Sequence, residues 1–331
     1  MISIVIPIFN EEENIDLLYK RLTEASPSWK DDYEVILVDD GSSDRSLQMM
    51  RDYAAKDNHI RVVELSRNFG HQAAISAGLH VSRGDAVVVM DGDLQDPPEE
   101  LHRFFDKWRE GYEVVYAIRT KRKEGLFKRV SYKVFYRLLH WISEIEIPLD
   151  SGDFCVMDRK VVDTLKHYMP EQNRFVRGLR AYAGFKQVGV KYERHSRAAG
   201  EVKYTFGKLL QLALNGLFNF SVKPLKLATY LGFLISIPSF LVGIFFIAHR
   251  LMGFKFLGHT PSETPGLATL AVGMFFIFGI ILVILGILGE YVGRIYYEVK
   301  KRPFYIISEV HQQDEEVETV NRSTSQTSIK R

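Results

Sequence analysis

The sequence predicts an α/β domain with a mostly parallel sheet, followed by two transmembrane helices. Short β-branched segments alternate with amphipathic segments over residues 2–118, which is typical of parallel strands joined by helices. Nearer the C-terminus, residues 227–248 and 267–288 are apolar and uncharged. Each of these runs exceeds the ~20 residues that a helix needs to cross a bilayer.

Runs of β-branched and apolar residues predict five buried strands. They span residues 2–9, 33–38, 61–65, 86–90 and 113–118. Helices are predicted between them, for example over residues 12–25 and 70–81. Ligands of such sheets bind beyond the carboxyl ends of the strands, so the residues that follow each strand are the candidates for a site.

The fourth predicted strand ends on an acidic loop. Asp91 and Asp93 are separated by one glycine, and Gln95 follows them. Carboxylate and amide oxygens suit Mg²⁺ or Mn²⁺ with a diphosphate in the remaining coordination positions. The alternative is an acidic turn ahead of a helix that the next two prolines begin.

Other strands end on polar or aromatic residues as well. Residues 9–11 follow the first strand, Asp39 and Asp40 end the second, and residues 66–68 follow the third. At one sheet edge, these groups could hold the base, ribose and diphosphate of a nucleotide. Neither the glycine-rich dinucleotide pattern nor a P-loop occurs, so a cation is expected to hold the phosphates.

Composition excludes several classes of protein. A net charge of +2 over 331 residues gives no support for nucleic-acid binding. The single cysteine, Cys155, excludes an internal disulfide and a four-cysteine zinc site, and suits a reducing compartment. The N-terminus is not a signal peptide, because Pro7 and Asn10 interrupt its apolar run and three glutamates follow.

Basic residues flank the two apolar runs on the sides away from their connecting loop. They are Lys203, Lys208, Lys223 and Lys226 before the pair, and Arg294, Lys300, Lys301 and Arg302 after it. The positive-inside rule therefore predicts that the α/β domain and both termini lie in the cytoplasm. We expect a multi-pass protein of the plasma (inner) membrane.

A basic amphipathic helix is predicted over residues 126–142, suited to an anionic membrane surface, or alternatively packed on the sheet. The chain then divides into five parts. They are a cytoplasmic α/β domain (1–202), an interfacial helix (203–224), two transmembrane helices (225–290), a cytoplasmic helix extension (291–311) and a disordered tail (312–331).

Six segments together resemble glycosyltransferase family 2, in particular its polyprenyl-phosphate glycosyltransferases. They are PIFNE (7–11), VDDGSSD (38–44), LSRNFG (65–70), DGDLQDPPE (91–99), SGDF (151–154) and RAAGEVKY (197–204). The resemblance covers residues 1–305. It implies a GT-A (Rossmann-like) fold in which a nucleotide-diphosphate sugar and a divalent cation meet at the sheet edge.

The resemblance also implies roles for individual residues. The nucleoside would be held by Pro7, Phe9, Glu11 and Asp39. The metal, Mg²⁺ or Mn²⁺, would be held by Asp91, Asp93 and Gln95, with Asp91 also near the nucleotide. The catalytic residues would be Asp153 and Asp93, with Asp153 beside the sugar. Arg119, Lys128 and Arg129 would face the acceptor phosphate, and Arg197 and Lys203 the diphosphate or the acceptor. Phe9 replaces the tyrosine of the family, which keeps ring stacking and loses a hydroxyl.

The expected reaction is inverting transfer of one sugar from UDP-glucose to undecaprenyl phosphate on the cytoplasmic leaflet. A phosphate monoester is largely ionised near neutral pH, so no strong base is required. UDP-N-acetylglucosamine, another UDP-sugar and GDP-mannose are the alternative donors. Asp153 would act as an orienting group or a weak base.

Two other functions stay open. A processive polysaccharide synthase would usually bring more spans and a QxxRW motif, which residues 172–175 only echo. A catalytically silent membrane scaffold could partner a flippase. A flippase or downstream glycosyltransferase is also an expected partner of the enzyme. Homo-oligomerisation is left open by the small residues Gly273, Gly279 and Gly286.

His71 is interpreted as a helix-start residue rather than a metal ligand, since no second histidine stands at ligand spacing.

Overall fold

The computed structural model describes residues 1–119, 151–171, 174–193, 223–252 and 267–312. They belong to two compact units. The first contains the described residues up to 193 together with those from Arg302 onward, and the second contains residues 223–301.

One mixed sheet organises the described part of the first unit. Its strand order is β7-β5-β6-β4-β1-β2-β3-β8. The strands are β1 (Ile2–Ile8), β2 (Tyr33–Asp39), β3 (Ile60–Leu65), β4 (Ala86–Val89), β5 (Val114–Arg119), β6 (Ser151–Asp158), β7 (Gln187–Tyr192) and β8 (Ile307–His311). Strands β6 and β8 run antiparallel to their neighbours, and the other pairs are parallel. The carboxyl ends of β1 to β5 and β7 therefore share one edge.

The described α-helices belong to both units, and those of the first unit pack on the sheet. They are α1 (Ile15–Ala25), α2 (Ser46–Ala54), α3 (His71–Val81), α4 (Leu101–Arg109), α5 (Arg159–His167), α6 (Val176–Tyr182), α7 (Lys223–Met252) and α8 (Leu267–Lys300). All seven residues of β1 are buried, as expected for a central strand covered on both faces. The predicted α/β class with a mostly parallel sheet is confirmed.

Helix α3 approaches the sheet closely because small residues line its buried face. A Cβ placed on Gly78 would lie 2.2 Å from Cγ1 of Val5 on β1, and Ala73, Ala74 and Ala77 are buried beside it. The N-terminus of α3 follows the loop that leaves β3 at its carboxyl end. The first residues of α3 consequently lie at the edge where ligands of such sheets bind.

Helices α7 and α8 are long and apolar enough to cross a membrane. They contain the runs predicted as spans, and Pro238 lies inside α7. Most of the large apolar side chains described on them are exposed. These features are consistent with membrane association, and the cytoplasmic orientation stays a prediction.

The C-terminal part of the chain differs from the prediction. Helix α8 ends at Lys300, and Ile307–His311 forms strand β8 instead of continuing a helix to residue 311. Strand β8 pairs antiparallel with β3, so the segment after the apolar helices completes the sheet of the first unit. The apolar content of residues 307–311 alone could not reveal strand β8, because the strand depends on its hydrogen bonds with β3.

Candidate active site

The pairing of β4 with β6 places two acidic residues side by side. The register sets Val89 opposite Cys155 in an antiparallel ladder. Asp91 follows β4 and Asp153 lies near the start of the antiparallel β6, so the two acids lie at the same edge of the sheet. Two segments that the sequence analysis assigned separately to metal and sugar therefore meet at one point of the sheet edge.

His71 lies between these two carboxylates. Its Nε2 is 3.5 Å from Oδ1 of Asp91 and 3.5 Å from Oδ2 of Asp153. Helix α3 begins at His71, directly after Gly70, whose φ of 99° suits glycine. The interpretation of His71 as a helix-start residue is confirmed, but its contact with both acids was not predicted.

Asp40 holds the turn that leads into His71. Its carboxylate accepts hydrogen bonds from the backbone N–H of Phe69 at 2.7 Å and of Gly70 at 2.9 Å. The neighbouring Asp39 accepts from the backbone N–H of Gly41 and Ser42 at 3.1 and 3.2 Å. Both carboxylates thus stabilise turns at the sheet edge, and the nucleoside role of Asp39 stays a prediction.

A tight loop follows Asp91. Asp93 accepts a hydrogen bond from the backbone N–H of Gln95 at 3.1 Å, and Leu94 between them has a left-handed φ of 60°, which is uncommon for a leucine. Asp96 is 1% exposed and accepts a hydrogen bond from the hydroxyl of Tyr192 at 2.5 Å. The buried side chain of Leu94 and the Asp96 contact hold the loop in this shape.

Burial and like charges make this loop suitable for a cation. Burial raises the pKa of Asp91 from 3.8 to about 6; the charge of His71 opposes the shift, while Asp96, Asp153 and Asp93 add to it. A carboxylate whose ionisation is disfavoured in this way gains most from a bound cation. The Asp91 carboxylate therefore fits a divalent metal, and the parts of Asp93 and Gln95 as further ligands stay predictions.

Asp153 has the opposite electrostatic environment. Burial alone would raise its pKa, but the hydrogen bond with His71 and the charges of Arg177, His71 and Arg180 outweigh burial and lower it. The pKa of His71 moves the other way. Partial burial would lower it, but the hydrogen bond with Asp153 and the charges of Asp91, Asp153 and Asp40 raise it. Asp153 is consequently ionised, whereas the pKa values of the neighbouring Asp91 and His71 are raised.

Two further side chains reach Asp153, and sequence reasoning missed both. Gln72 Nε2 donates to Oδ2 of Asp153 at 3.5 Å, and Arg177 NH2 lies 3.5 Å from Oδ1. A signal existed in the sequence, since Arg177 and Arg180 interrupt the otherwise apolar segment 175–182. That signal did not indicate which acid they would meet.

The remaining predicted residues fall into two groups. Pro7, Phe9 and Glu11 lie at the carboxyl end of β1, where the ring of Phe9 is 47% exposed and Glu11 accepts a hydrogen bond from Asn14 Nδ2 at 2.5 Å. Arg119 ends β5 at the same edge. Lys128, Arg129, Arg197 and Lys203 lie outside the described residues, as do the predicted helix over 126–142 and nearly all of the one over 203–224.

A second acidic cluster lies on β3 and on the edge strand β8. Among the described residues, Glu64, Glu309 and His311 are close enough to share a metal ion. Arg51 already lies there, with its NH2 2.5 Å from Glu64 Oε2 and 3.5 Å from Glu309 Oε2. The guanidinium supplies the positive charge, so this cluster fastens β8 to β3 and α2.

Comparison with known proteins shows the family of this chain. Residues 3–166 match the description Glycosyl transferase family 2. The chain is 49% identical over 306 residues to the Uncharacterized glycosyltransferase YkcC of Bacillus subtilis (strain 168), with 92% of each chain covered. The chain belongs to glycosyl transferase family 2. The resemblance, the GT-A fold and the assignment as a glycosyltransferase are thereby confirmed.

Two further relatives of this family 2 enzyme are similar over nearly their full length. The Uncharacterized glycosyltransferase sll0501 of Synechocystis sp. (strain ATCC 27184 / PCC 6803 / Kazusa) is 44% identical over 310 residues, covering 93% of this chain and 95% of the relative. The Prophage bactoprenol glucosyl transferase homolog of Escherichia coli (strain K12) is 38% identical over 310 residues, covering 93% and 99%. The similarity therefore extends through the apolar helices as well as the sheet.

Replacement of Asp91 by Asn should stabilise the metal-free enzyme near neutral pH. The folded pKa of Asp91 lies above its ordinary value, so ionisation costs more in the folded state, and this cost is complete only above about pH 6. The Tm of Asp91→Asn should exceed that of the wild type at about pH 7.5, and the difference should shrink towards about pH 5. Thermal unfolding in detergent with chelator measures it; a difference independent of pH would contradict the assigned environment.

Loss of the Tyr192 hydroxyl should weaken the acidic loop. Tyr192→Phe removes a donor from the buried Asp96 carboxylate, and we expect a loss of roughly 1–3 kcal/mol in the free energy of unfolding. The matched control is Tyr182→Phe, because the Tyr182 side chain is 66% exposed. Chemical denaturation of both variants checks the prediction, and equal losses would show that the Asp96 contact is unimportant.

Proposed function

We propose that this enzyme transfers one glucose residue from UDP-glucose to undecaprenyl phosphate on the cytoplasmic leaflet, with a divalent metal and with inversion. The observation that carries the proposal is the meeting of Asp91 and Asp153 at the sheet edge. Transfer of glucose to bactoprenol, the undecaprenyl lipid, is supported by relatives named bactoprenol glucosyl transferases, which are 38% identical over more than nine-tenths of this chain. The apolar helices α7 and α8 are consistent with a lipid acceptor.

The nucleotide end of the donor would lie along the ends of β1 and β2. The exposed ring of Phe9 offers a stacking surface for the base, and Asp39 lies at the end of the neighbouring strand. Asp91 and Asp93, with Gln95, would hold Mg²⁺ or Mn²⁺, which supplies charge neutralisation for the departing diphosphate. Arg197 and Lys203 are proposed to assist at the diphosphate.

The acceptor phosphate needs orientation more than it needs a base. It is largely ionised near neutral pH, and Arg119, Lys128 and Arg129 are proposed to align it with the anomeric carbon. Attack from the face opposite the leaving group would invert that carbon. The lowered pKa of Asp153 makes this residue a poor proton acceptor, which favours an orienting role beside the sugar.

The product would be a lipid-linked sugar on the cytoplasmic side of the plasma membrane. A sugar used outside the cell must then cross the bilayer, so a flippase and a downstream glycosyltransferase are the proposed partners. Homo-oligomerisation through the glycines of α8 remains a prediction of the sequence.

Purified enzyme in detergent should transfer label from UDP-glucose to undecaprenyl phosphate, and chelator should abolish the transfer. Asp93→Asn should lower the rate roughly 100-fold or more, because it removes a charge that would hold the metal against the diphosphate. Labelled UDP-N-acetylglucosamine and GDP-mannose, assayed in parallel, test the donor, and the anomeric configuration of the product tests inversion.

The matched control is Asp52→Asn, which changes an exposed carboxylate on α2 and should leave the rate unchanged. Transfer from a different donor would correct the sugar alone. Absence of product from every donor, with dolichyl phosphate also tried as acceptor, would favour the catalytically silent scaffold.

A further inference from the structure

Helix α6 brings two cations to the site that the proposed reaction has not used. Arg177 and Arg180 lie one turn apart on it, and Arg180 is among the largest fully buried side chains of the described residues, at 1% exposure. Burial of a guanidinium is costly unless an anion compensates it. The buried charge of Arg180 therefore needs an anion nearby.

Asp153 is the carboxylate that these cations face. Arg177 NH2 lies 3.5 Å from Asp153 Oδ1, and the charges of both arginines lower the pKa of Asp153. The carboxylate is contacted on its other oxygen by His71 and Gln72, each at 3.5 Å. Asp153 is thus held from two sides, by α3 at Oδ2 and by α6 at Oδ1.

A hydrogen bond joins these two sides. The side-chain oxygen of Gln72 accepts from the backbone N–H of Val176 at 2.8 Å, at the first residue of α6. Gln72 therefore touches Asp153 with its amide nitrogen and fixes the start of α6 with its amide oxygen. Arg177 follows Val176 in α6, so this hydrogen bond fixes the backbone position from which the Arg177 side chain extends.

The geometry does not resemble a contact made for stability. The separation of 3.5 Å is too long for a strong charge-assisted hydrogen bond, which measures about 2.7–2.9 Å. Among the described residues, Arg177 Nε has no hydrogen-bond partner, and the side chain is 28% exposed. Contacts within an active site commonly tighten when substrate binds.

We propose that Arg177, placed by the Gln72–Val176 hydrogen bond, is a positioning residue that holds the Asp153 carboxylate in the orientation it needs beside the donor sugar. The inference rests on the proposed function, because it assigns Asp153 to the sugar. Arg177 acts through Asp153 and need not touch the substrate. Its loss should therefore affect the reacting complex more than the binding of the nucleotide.

The test is a double-mutant cycle between Arg177→Gln and Asp153→Asn, read as transfer from UDP-glucose to undecaprenyl phosphate. Arg177→Gln should lower kcat roughly ten- to a hundredfold in the wild-type background, the size expected for a misplaced active-site group, with a smaller change in KM for UDP-glucose. In the Asp153→Asn background the same substitution should change kcat little. Arg177→Lys, which keeps the charge without the planar guanidinium, should fall between the wild type and Arg177→Gln.

Arg159→Gln is the matched control. The Arg159 side chain is 24% exposed and donates to the backbone oxygen of Gly84 at 2.8 Å, at the end of β6 away from Asp153. We expect its kcat to equal that of the wild type. A fall in kcat by the same factor in both backgrounds, or no fall with Arg177→Gln, would overturn the inference.

The Tm of the four proteins in the cycle separates this inference from the proposed function. A wild-type enzyme that transfers no sugar would overturn the proposed function. The Tm values would then still show whether the effect of Arg177→Gln depends on the Asp153 carboxylate. Additive changes in Tm would overturn the contact itself.

Discussion

The antiparallel pairing of β4 with β6 is the interaction on which the site depends. A ladder of backbone hydrogen bonds sets Val89 against Cys155, and this pairing brings Asp91 and Asp153 to the same edge of the sheet. A slip of one residue would turn every side chain of the strand to the opposite face. Consecutive residues of both strands are buried, from Val87 to Val89 and from Phe154 to Met157, so a slip would disrupt close packing on both faces of the sheet.

The two carboxylates differ because their neighbours differ. Asp91 lies near Asp93, Asp96 and Asp153, and burial with these charges raises its pKa to about 6. Asp153 lies near His71, Arg177 and Arg180, which outweigh burial and lower its pKa. One acid is thereby prepared for a cation and the other stays ionised without one.

The segment after the apolar helices contributes to the same site indirectly. Strand β8 pairs with β3, Arg51 joins Glu64 to Glu309, and the backbone N–H of Ser66 donates to the oxygen of Ile306 at 3.0 Å. Residue 66 begins the loop that ends at Gly70 and His71. The chain that leaves α8 therefore supports the strand from which the His71 loop departs, which gives the C-terminal region a structural part in the catalytic domain.

The sequence by itself determined β1 to β5, the apolar helices, the family, and the polar residues that follow each strand. These features depend on local composition, periodicity and linear motifs, which a single chain displays. Only the tertiary structure decided that His71 lies between Asp91 and Asp153, that Arg177 reaches Asp153, and that residues 307–311 form a strand. Each of these results depends on the register or packing of segments far apart in the chain, and no local pattern specifies which distant partner a residue will meet.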